Sequence, residues 1–431
     1  MQEQGVPLSI LLHLSLFFCV NILIHNNYCY VFPFLIQFCN FTFNFIQNTC
    51  LPDRQAEGIH LLAQLFKLSM KKALLILSIF TGIKNLTIAQ KYSNEFLAIG
   101  VGARAQGMSG AVTATTNDIY SSYWNSAGLT NLESPFQIGV MHAEWFGGVA
   151  KYDFLGFAKP LKGDRKRAIG LSIIRLGIDG IPYTLNLVGA DGSINYNNIT
   201  EFSAADYAVN LSYAQQMKNP NWSIGGNVKI IRRVIGSFAG AWGVGADVSV
   251  QYRKGNWRFA AVGRDITTTY NAWTATLTDQ EKSVFASTNN EIPKSSVEIT
   301  KPTVILGGAF SRPLSSKVDF TVEMDAGFTT DGQRNVLISS RSLNVDPRLG
   351  VEVGYNKNIW LRTGIGNFQR VKNEEDPTVK DLEFQPNIGV GLKLGRLHID
   401  YALTNLGGIS QVLYSHIFSV KLDLKSRRSV E

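Results

Sequence analysis

From about residue 135 onward the chain reads in twos. Over residues 242–253 one parity is Trp242, Val244, Ala246, Val248, Val250 and Tyr252, and the other is Gly243, Gly245, Asp247, Ser249, Gln251 and Arg253. Over 317–328 one parity is Val318, Phe320, Val322, Met324, Ala326 and Phe328, and the other is Lys317, Asp319, Thr321, Glu323, Asp325 and Gly327. Strand geometry puts such sets on opposite faces, one apolar and one polar or glycine. The pattern recurs with Trp222, Ile224, Val228 and Ile230 against Ser223, Gly225, Asn227 and Lys229, and with Ile388, Val390, Leu392 and Leu394 against Asn387, Gly389, Gly391 and Lys393. His416, Phe418, Val420 and Leu422 alternate with Ile417, Ser419, Lys421 and Asp423. Fourteen such segments are predicted, near 135–146, 149–160, 167–178, 202–216, 222–237, 240–254, 256–270, 300–312, 316–328, 347–356, 358–371, 381–395, 396–406 and 412–425.

A soluble sandwich also alternates, with its apolar face turned inward. Three features favour a membrane barrel. The segments run to about ten to fifteen residues, where soluble strands average about five or six. Trp222, Trp242, Tyr252, Trp257, Tyr355, Trp360, Tyr401 and Tyr414 fall near segment ends, as interfacial girdles require. A secretory signal at 70–89 routes the chain out of the cytoplasm, and with no apolar run long enough for a membrane helix after residue 90 the remaining solution in lipid is a closed barrel. Tight turns at Lys254-Gly255, Asn356-Lys357-Asn358 and Gly395-Arg396 are expected at the periplasmic end. Long connections near 179–201, 271–300 and 329–347 are expected outside the cell. The even strand number also fits a bacterial barrel.

The composition changes along the chain. The protein has 431 residues, 45% hydrophobic and 17% charged, with 39 glycines and a net charge of +8. Collagen-like, disordered and coiled-coil classes are excluded. The basic residues are scattered singly rather than gathered as a nucleic-acid patch. Residues 1–69 hold all four cysteines (Cys19, Cys29, Cys39 and Cys50) and show no periodicity; they are read as a non-native upstream extension. Met70-Lys71-Lys72, an apolar run from Ala73 to Ile83 and Thr87-Ile88-Ala89 before Gln90 make a secretory signal over 70–89. The mature chain then has no cysteine, so neither a disulfide nor a thiolate site is available to it.

Residues 96–130 break the alternation. Small residues dominate (Gly100, Gly102, Ala103, Ala105, Gly107, Gly110 and Ala111), while Phe96, Leu97, Met108, Tyr120 and Trp124 call for burial. Such a segment can pack tightly inside a larger structure. It carries no phosphate-loop lysine and no strand–helix–strand setting for a dinucleotide. The run Gly102-Ala103-Arg104, then Gly107-Met108-Ser109-Gly110-Ala111, then Asp118, then Trp124-Asn125-Ser126-Ala127-Gly128-Leu129 resembles the PorV/PorQ family, which belongs to the FadL-like outer-membrane barrels. Ser126 stands where that family usually has proline, and Ser109 where it often has glycine.

The resemblance implies an all-β fold: a 14-stranded antiparallel transmembrane barrel at residues 133–431, in the bacterial outer membrane, with an N-terminal hatch at 90–132 folded inside. It implies that Arg104 and Asp118 are buried charges needing partners, with Lys229, Asp247, Glu323, Asp325 and Lys393 as lumen-facing candidates. It also implies a non-enzymatic role as an accessory or cargo-handling component of type IX protein secretion, beside a sortase-like partner and secreted cargo. The alternative is a FadL-like channel for hydrophobic small molecules. A cargo-handling barrel should use its long outer loops; a channel should have an apolar lumen pocket and a gap in its wall.

Candidate chemistry is sparse. The mature chain's three histidines, His142, His398 and His416, are not at metal spacing with one another. His416 lies on the apolar parity and reads as a girdle residue. Glu323 and Asp325 could serve as paired carboxylates, but ion pairing inside a polar lumen is the plainer reading. Lys162, Arg165, Lys166 and Arg167 read as a solvated loop or a headgroup contact. No cofactor, metal or nucleic acid is called for; the expected surroundings are outer-membrane lipid. Mass spectrometry of the natural protein is expected to place its N-terminus near Gln90 and to recover no peptide from residues 1–69.

Overall fold

A computed structural model describes residues 93–163, 166–187, 193–373, 376, 379–406 and 414–424. The upstream extension, the signal sequence, the first three residues of the expected hatch and Arg165 lie outside the described residues. The chain forms one 17-stranded antiparallel sheet closed on itself by pairing of its first and last strands. The strands are β1 (Phe136–Trp145), β2 (Ala150–Leu161), β3 (Arg167–Tyr183), β4 (Thr200–Gln216), β5 (Trp222–Ile235) and β6 (Ala239–Lys254). Next come β7 (Trp257–Arg264), β8 (Thr269–Ala275), β9 (Ser296–Thr300), β10 (Thr303–Pro313), β11 (Val318–Thr329) and β12 (Ile338–Ser339). The wall ends with β13 (Asn344–Tyr355), β14 (Ile359–Lys372), β15 (Lys380–Leu394), β16 (Leu397–Thr404) and β17 (Ser415–Leu424). β7 and β8 follow one course along β6, and β9 and β10 follow one course beside them. β12 is a two-residue piece paired with β13. The wall therefore has fourteen courses, the number the alternation predicts.

The direction of the apolar face decides what kind of barrel this is. Trp242, Val248 and Met324 are 60%, 48% and 57% exposed, while Asp247, Ser249, Glu323 and Asp325 on the opposite parity are buried. The apolar face points out and the polar face points in, so the surroundings of the wall are hydrocarbon. Aromatic pairs lie toward both ends of that face. Trp222 meets Tyr252 at 4.7 Å and Trp257 meets Phe310 at 4.9 Å at the short-turn end. Tyr401 meets Phe418 at 4.7 Å, and Arg232 lies 5.1 Å over Trp242, toward the long-loop end. His416 lies on this outward face and hydrogen-bonds Tyr401. Trp360 is the exception among the expected girdle residues. Its neighbours Ile359 and Leu361 are the exposed ones, and Trp360 turns inward, 5.8 Å from the Arg362 guanidinium.

The short turns gather at one end. The turns at Gly255, Asn356-Lys357 and Gly395 all use positive φ, which glycine and asparagine accept with little strain. At the other end the strands run further than the alternation predicts. β3 continues to Tyr183, whose ring stacks on Phe238 at 5.4 Å, and Phe238 packs edge-on against Phe202. The connection after β8 contains a helix that the alternation does not reveal, α1 (Asp279–Ser287). Its signal is Thr278-Asp279-Gln280-Glu281, a reciprocal capping box.

Because Val248 faces lipid in the middle of β6, Val248→Arg is expected to destabilise the barrel by about 2–4 kcal/mol. Urea titration after folding into lipid vesicles measures this, and a cost near zero would mean that this face is not in the membrane.

Candidate functional site

The lumen is filled by residues 93–132. This stretch has a 3-10 turn (Glu95–Leu97) and two short helices, α2 (Ala103–Gly107) and α3 (Ser121–Trp124), followed by a 3-10 turn (Ser126–Asn131). A segment with so little regular structure leaves many backbone groups unpaired, and inside a lumen each needs a partner. The wall supplies them. Asp325 accepts from the N–H groups of Val112 and Thr113 at 3.1 and 3.0 Å, and Glu323 accepts from Ala114 N and the Thr115 hydroxyl. The two carboxylates thus anchor the hatch, and among the described residues neither makes the ion pair expected above. Gln251 donates to the carbonyls of Ala114 and Thr116, and Asn227 to that of Ser122.

Two ion-pair systems tie the hatch to the strands of the wall, and Glu95 pairs with Arg334 of the connection after β11 at 3.1 Å. Arg104 is bidentate to Glu352 at 2.9 and 3.1 Å. Glu352 also takes a bond from Arg362, which reaches Asp400 at 2.6 Å. Asp118 receives Lys421 at 2.9 Å and the N–H of Tyr120 at 3.0 Å. Burial alone would raise the Asp118 carboxyl, but the Lys421 ammonium and its hydrogen bond, helped by Arg104, hold it below the usual carboxylate range.

The inward glycines explain the rest of the polar parity. A Cβ on Gly225 would lie 2.4 Å from Ala127 N, and one on Gly364 would lie 2.4 Å from the Met108 carbonyl carbon. Gly389 meets Gly107 backbone to backbone, and Gly350 seats the Met108 side chain. These positions lack side chains because the hatch occupies that space.

The expected motif residues fall as follows. Gly102 caps α2 and donates to Met141 Sδ, and Ala103 donates to the Ser419 hydroxyl. Gly110 lies at φ 79° against Trp124, and Trp124 Nε1 donates to Val101 O. Asn125 caps the last turn through Ala127 N and bonds Thr113 O, while a Cβ on Gly128 would collide with Thr116 O. Ser126 uses the hydroxyl that a proline would lack, at 2.9 Å from the Ser249 hydroxyl. Ser249 is therefore pressed against the hatch, and the polar face there is not free space. Lys393 is half-buried at the short-turn end, on the strand face opposite Leu392 and Leu394. The partners of Arg104 and Asp118, Glu352 and Lys421, are not among the expected lumen candidates. Both lie on the polar parity of their strands, and that was the available signal.

Lys229 and Asp247 lie buried on the inward parity and pair with each other rather than with Arg104 or Asp118. Lys229 Nζ lies 2.8 Å from Asp247 and 2.7 Å from Asp265, where the wall is interrupted. Arg264 pairs with Thr303 and Thr269 pairs with Thr300, so Asp265, Ile266, Thr267 and Thr268 stand opposite only Lys301 and Pro302. Asp265 and Thr268 adopt φ of 54° and 60°, a strained conformation for a β-branched threonine. Alternation alone reads 256–270 as one strand, because Thr267 and Thr268 are good strand formers. Behind the interruption lies a cavity of about 170 Å³. Its lining mixes the apolar Leu97, Tyr123, Trp124, Ile305 and Val336 with Lys229, Arg264, Asp265, Asp325 and Arg348. Arg264 stacks 4.5 Å over the Tyr123 ring. Among the described residues, no group of three His, Cys, Asp or Glu side chains is placed to hold a metal.

No family model and no curated protein matches the sequence. Among solved structures, the chain is similar in shape to the CymD monoaromatic hydrocarbon channel (13% identity, 77% of this chain and 99% of that chain, TM-score 0.48). It is also similar to the Ralstonia pickettii toluene transporter TbuX (12% identity, 75% and 98%, TM-score 0.46) and to a Pseudomonas aeruginosa FadL homologue (12% identity, 75% and 98%, TM-score 0.46).

Lys421→Met leaves Asp118 buried without its cation and is expected to cost about 3–5 kcal/mol. Acid should reproduce the loss. The folded Asp118 pKa is depressed, so its contribution is complete above the ordinary carboxylate pKa of about 4 and vanishes as pH falls through the lower folded value. Protease sensitivity of the hatch against pH reads this. Asp118→Asn, which cannot titrate, should remove that part of the acid response.

Proposed function

We propose that the protein is a non-enzymatic small-molecule channel of the outer membrane, closed at rest by its hatch. The observation that carries the reading is the interruption of the wall at 265–268 opposite 301–302, with a cavity directly behind it. Breaking a strand ladder between two lipid-facing courses is costly in a bilayer, and local bonds such as those from Ala246 N–H to Thr267 Oγ1 and from Ile266 N–H to Ala246 O only partly replace the ladder. A cavity of this volume holds a single ring rather than a drug-sized molecule. Its lining is not the purely apolar one expected for a hydrophobic-compound channel. It favours a ring-sized compound bearing a polar group, with the ring against Tyr123 and Trp124 and the polar group toward Arg264 or Lys229.

The type IX secretion reading rests on the hatch motif alone. That motif is accounted for by its fit to the wall, and no described loop feature favours cargo binding over transport. The test uses the full-length protein in vesicles, with phenol and benzoate as probes. Ile305→Trp, which fills the cavity from β10, is expected to abolish uptake of both while leaving the unfolding midpoint near the wild-type value. Unchanged uptake would overturn the channel reading. Secreted proteins co-purifying from native outer membranes, together with unchanged uptake, would support the secretion role instead.

A further inference from the structure

At the short-turn, periplasmic mouth of the lumen, two arginines face each other with no counter-ion among the described residues. Arg253 lies near the end of β6 and Arg258 near the start of β7, and they are direct cross-strand partners across the Gly255 turn. Both lie on the inward parity. Ser249 and Gln251 precede Arg253, Ala260 and Val262 follow Arg258, and all four are buried. The lipid-facing parity at this level carries Tyr252, Trp257 and Phe259 instead. A lipid headgroup outside the wall is therefore on the wrong side to reach the pair.

Like charges directly opposed across a strand pair destabilise it, and a guanidinium withdrawn from water needs a partner. Neither arginine makes an ion pair within the described residues. Arg258 donates to the neutral hydroxyl of Ser311, and Arg253 Nε is buried with no acceptor. The carboxylates whose fields reach the pair are engaged elsewhere or exposed. Glu323 is bonded to the hatch, Glu352 to Arg104 and Arg362, and Glu133 stands exposed on the linker before β1.

We propose that Arg253 and Arg258 form a binding site for an oxyanion, a carboxylate or phosphate group, presented from the periplasm. Two guanidinium forks suit such a group, since each can bond it through a pair of parallel N–H donors. Ser311 accepts from Arg258 and from Thr321, which leaves its own proton free to donate to the anion. The rim reinforces the site. Lys218, Lys254, Lys317, Lys357 and Arg396 are exposed at this end, and the turns at 217–221, 255–256, 314–317, 356–358 and 395–396 contain no acidic residue. The rim is not free of acid, since the sequence of the connection at 162–166 includes Asp164 and Asp319 is half-buried on β11, but its exposed groups are mostly basic, which raises the local concentration of anions at the mouth. The inference stands independently of the transport reading, because it uses none of the cavity residues.

The test is thermal unfolding of the full-length protein in non-ionic detergent, with sodium phosphate compared against sodium chloride at matched ionic strength. The wild type should show a saturable rise in midpoint with phosphate. The double variant Arg253→Gln/Arg258→Gln should show none, and without phosphate it should unfold at or above the wild-type midpoint, because the repulsion is gone. Arg258→Lys keeps the charge but loses the fork, and should bind phosphate on the order of tenfold more weakly. A tetraglutamate peptide identifies the source. Binding tighter than phosphate assigns the site to an acidic polypeptide segment, and equal or weaker binding assigns it to a free anion. No phosphate or peptide effect on the wild type, or an equal effect on the double variant, would overturn the proposal.

Discussion

The backbone N–H groups of Val112, Thr113 and Ala114 converge on two carboxylates of β11, and much of the lumen is organised around that contact. An irregular chain inside a barrel cannot satisfy itself as a helix or sheet does. The inner wall must therefore act as its hydrogen-bonding partner. This accounts for a polar face made of acceptors (Glu323 and Asp325), amides (Gln251 and Asn227) and glycines (Gly225, Gly364 and Gly389) rather than the ring of charges expected of an aqueous pore. The polar parity of each strand records the shape and the unpaired groups of the segment it encloses.

That relation also sets what could be read from the sequence. The alternation of β6 and β11 carried the strand count, the antiparallel order and the inside–outside assignment, because a period of two has only two phases and lipid selects one of them. The hatch was legible as small residues with bulky anchors, and Arg104 and Asp118 as charges in need of partners. The identity of those partners was not. Lys421 is 303 positions from Asp118, and nothing local distinguishes it from Lys393 on the same kind of face. Trp360 was misplaced because proximity to a strand end says nothing about phase, whereas its flanking Ile359 and Leu361 do. The wall interruption was hidden because Thr267 and Thr268 favour extended backbone, whereas here Thr268 N–H closes a turn on Asp265 O and Thr267 Oγ1 accepts from Ala246 N–H.

The interruption and the hatch are joined by the same residues. Arg264 is the last residue of β7 before the break, and its guanidinium lies against Tyr123 and Trp124 of the hatch. Asp265 begins the break and holds Lys229 on β5. A change in the position of α3 is thus felt at the point where the wall is least regular. Elsewhere the hatch rests mostly on continuous ladders, which are stiff by comparison, apart from Ser109 against the register shift at Gly366.

The seam between β1 and β17 bears on how the molecule is made. The hatch precedes β1, while Ser419 and Lys421, which hold Ala103 and Asp118, lie on the strand that closes the ring. Synthesis delivers the guest first and its last two fastenings at the end. The glycine contacts leave no clearance for threading the segment into a finished cylinder. Sealing the sheet and making these two fastenings therefore draw on the same strand, a long-range contact in sequence. A chain stalled before β17 would present an open edge and a half-held interior to the machinery that inserts it.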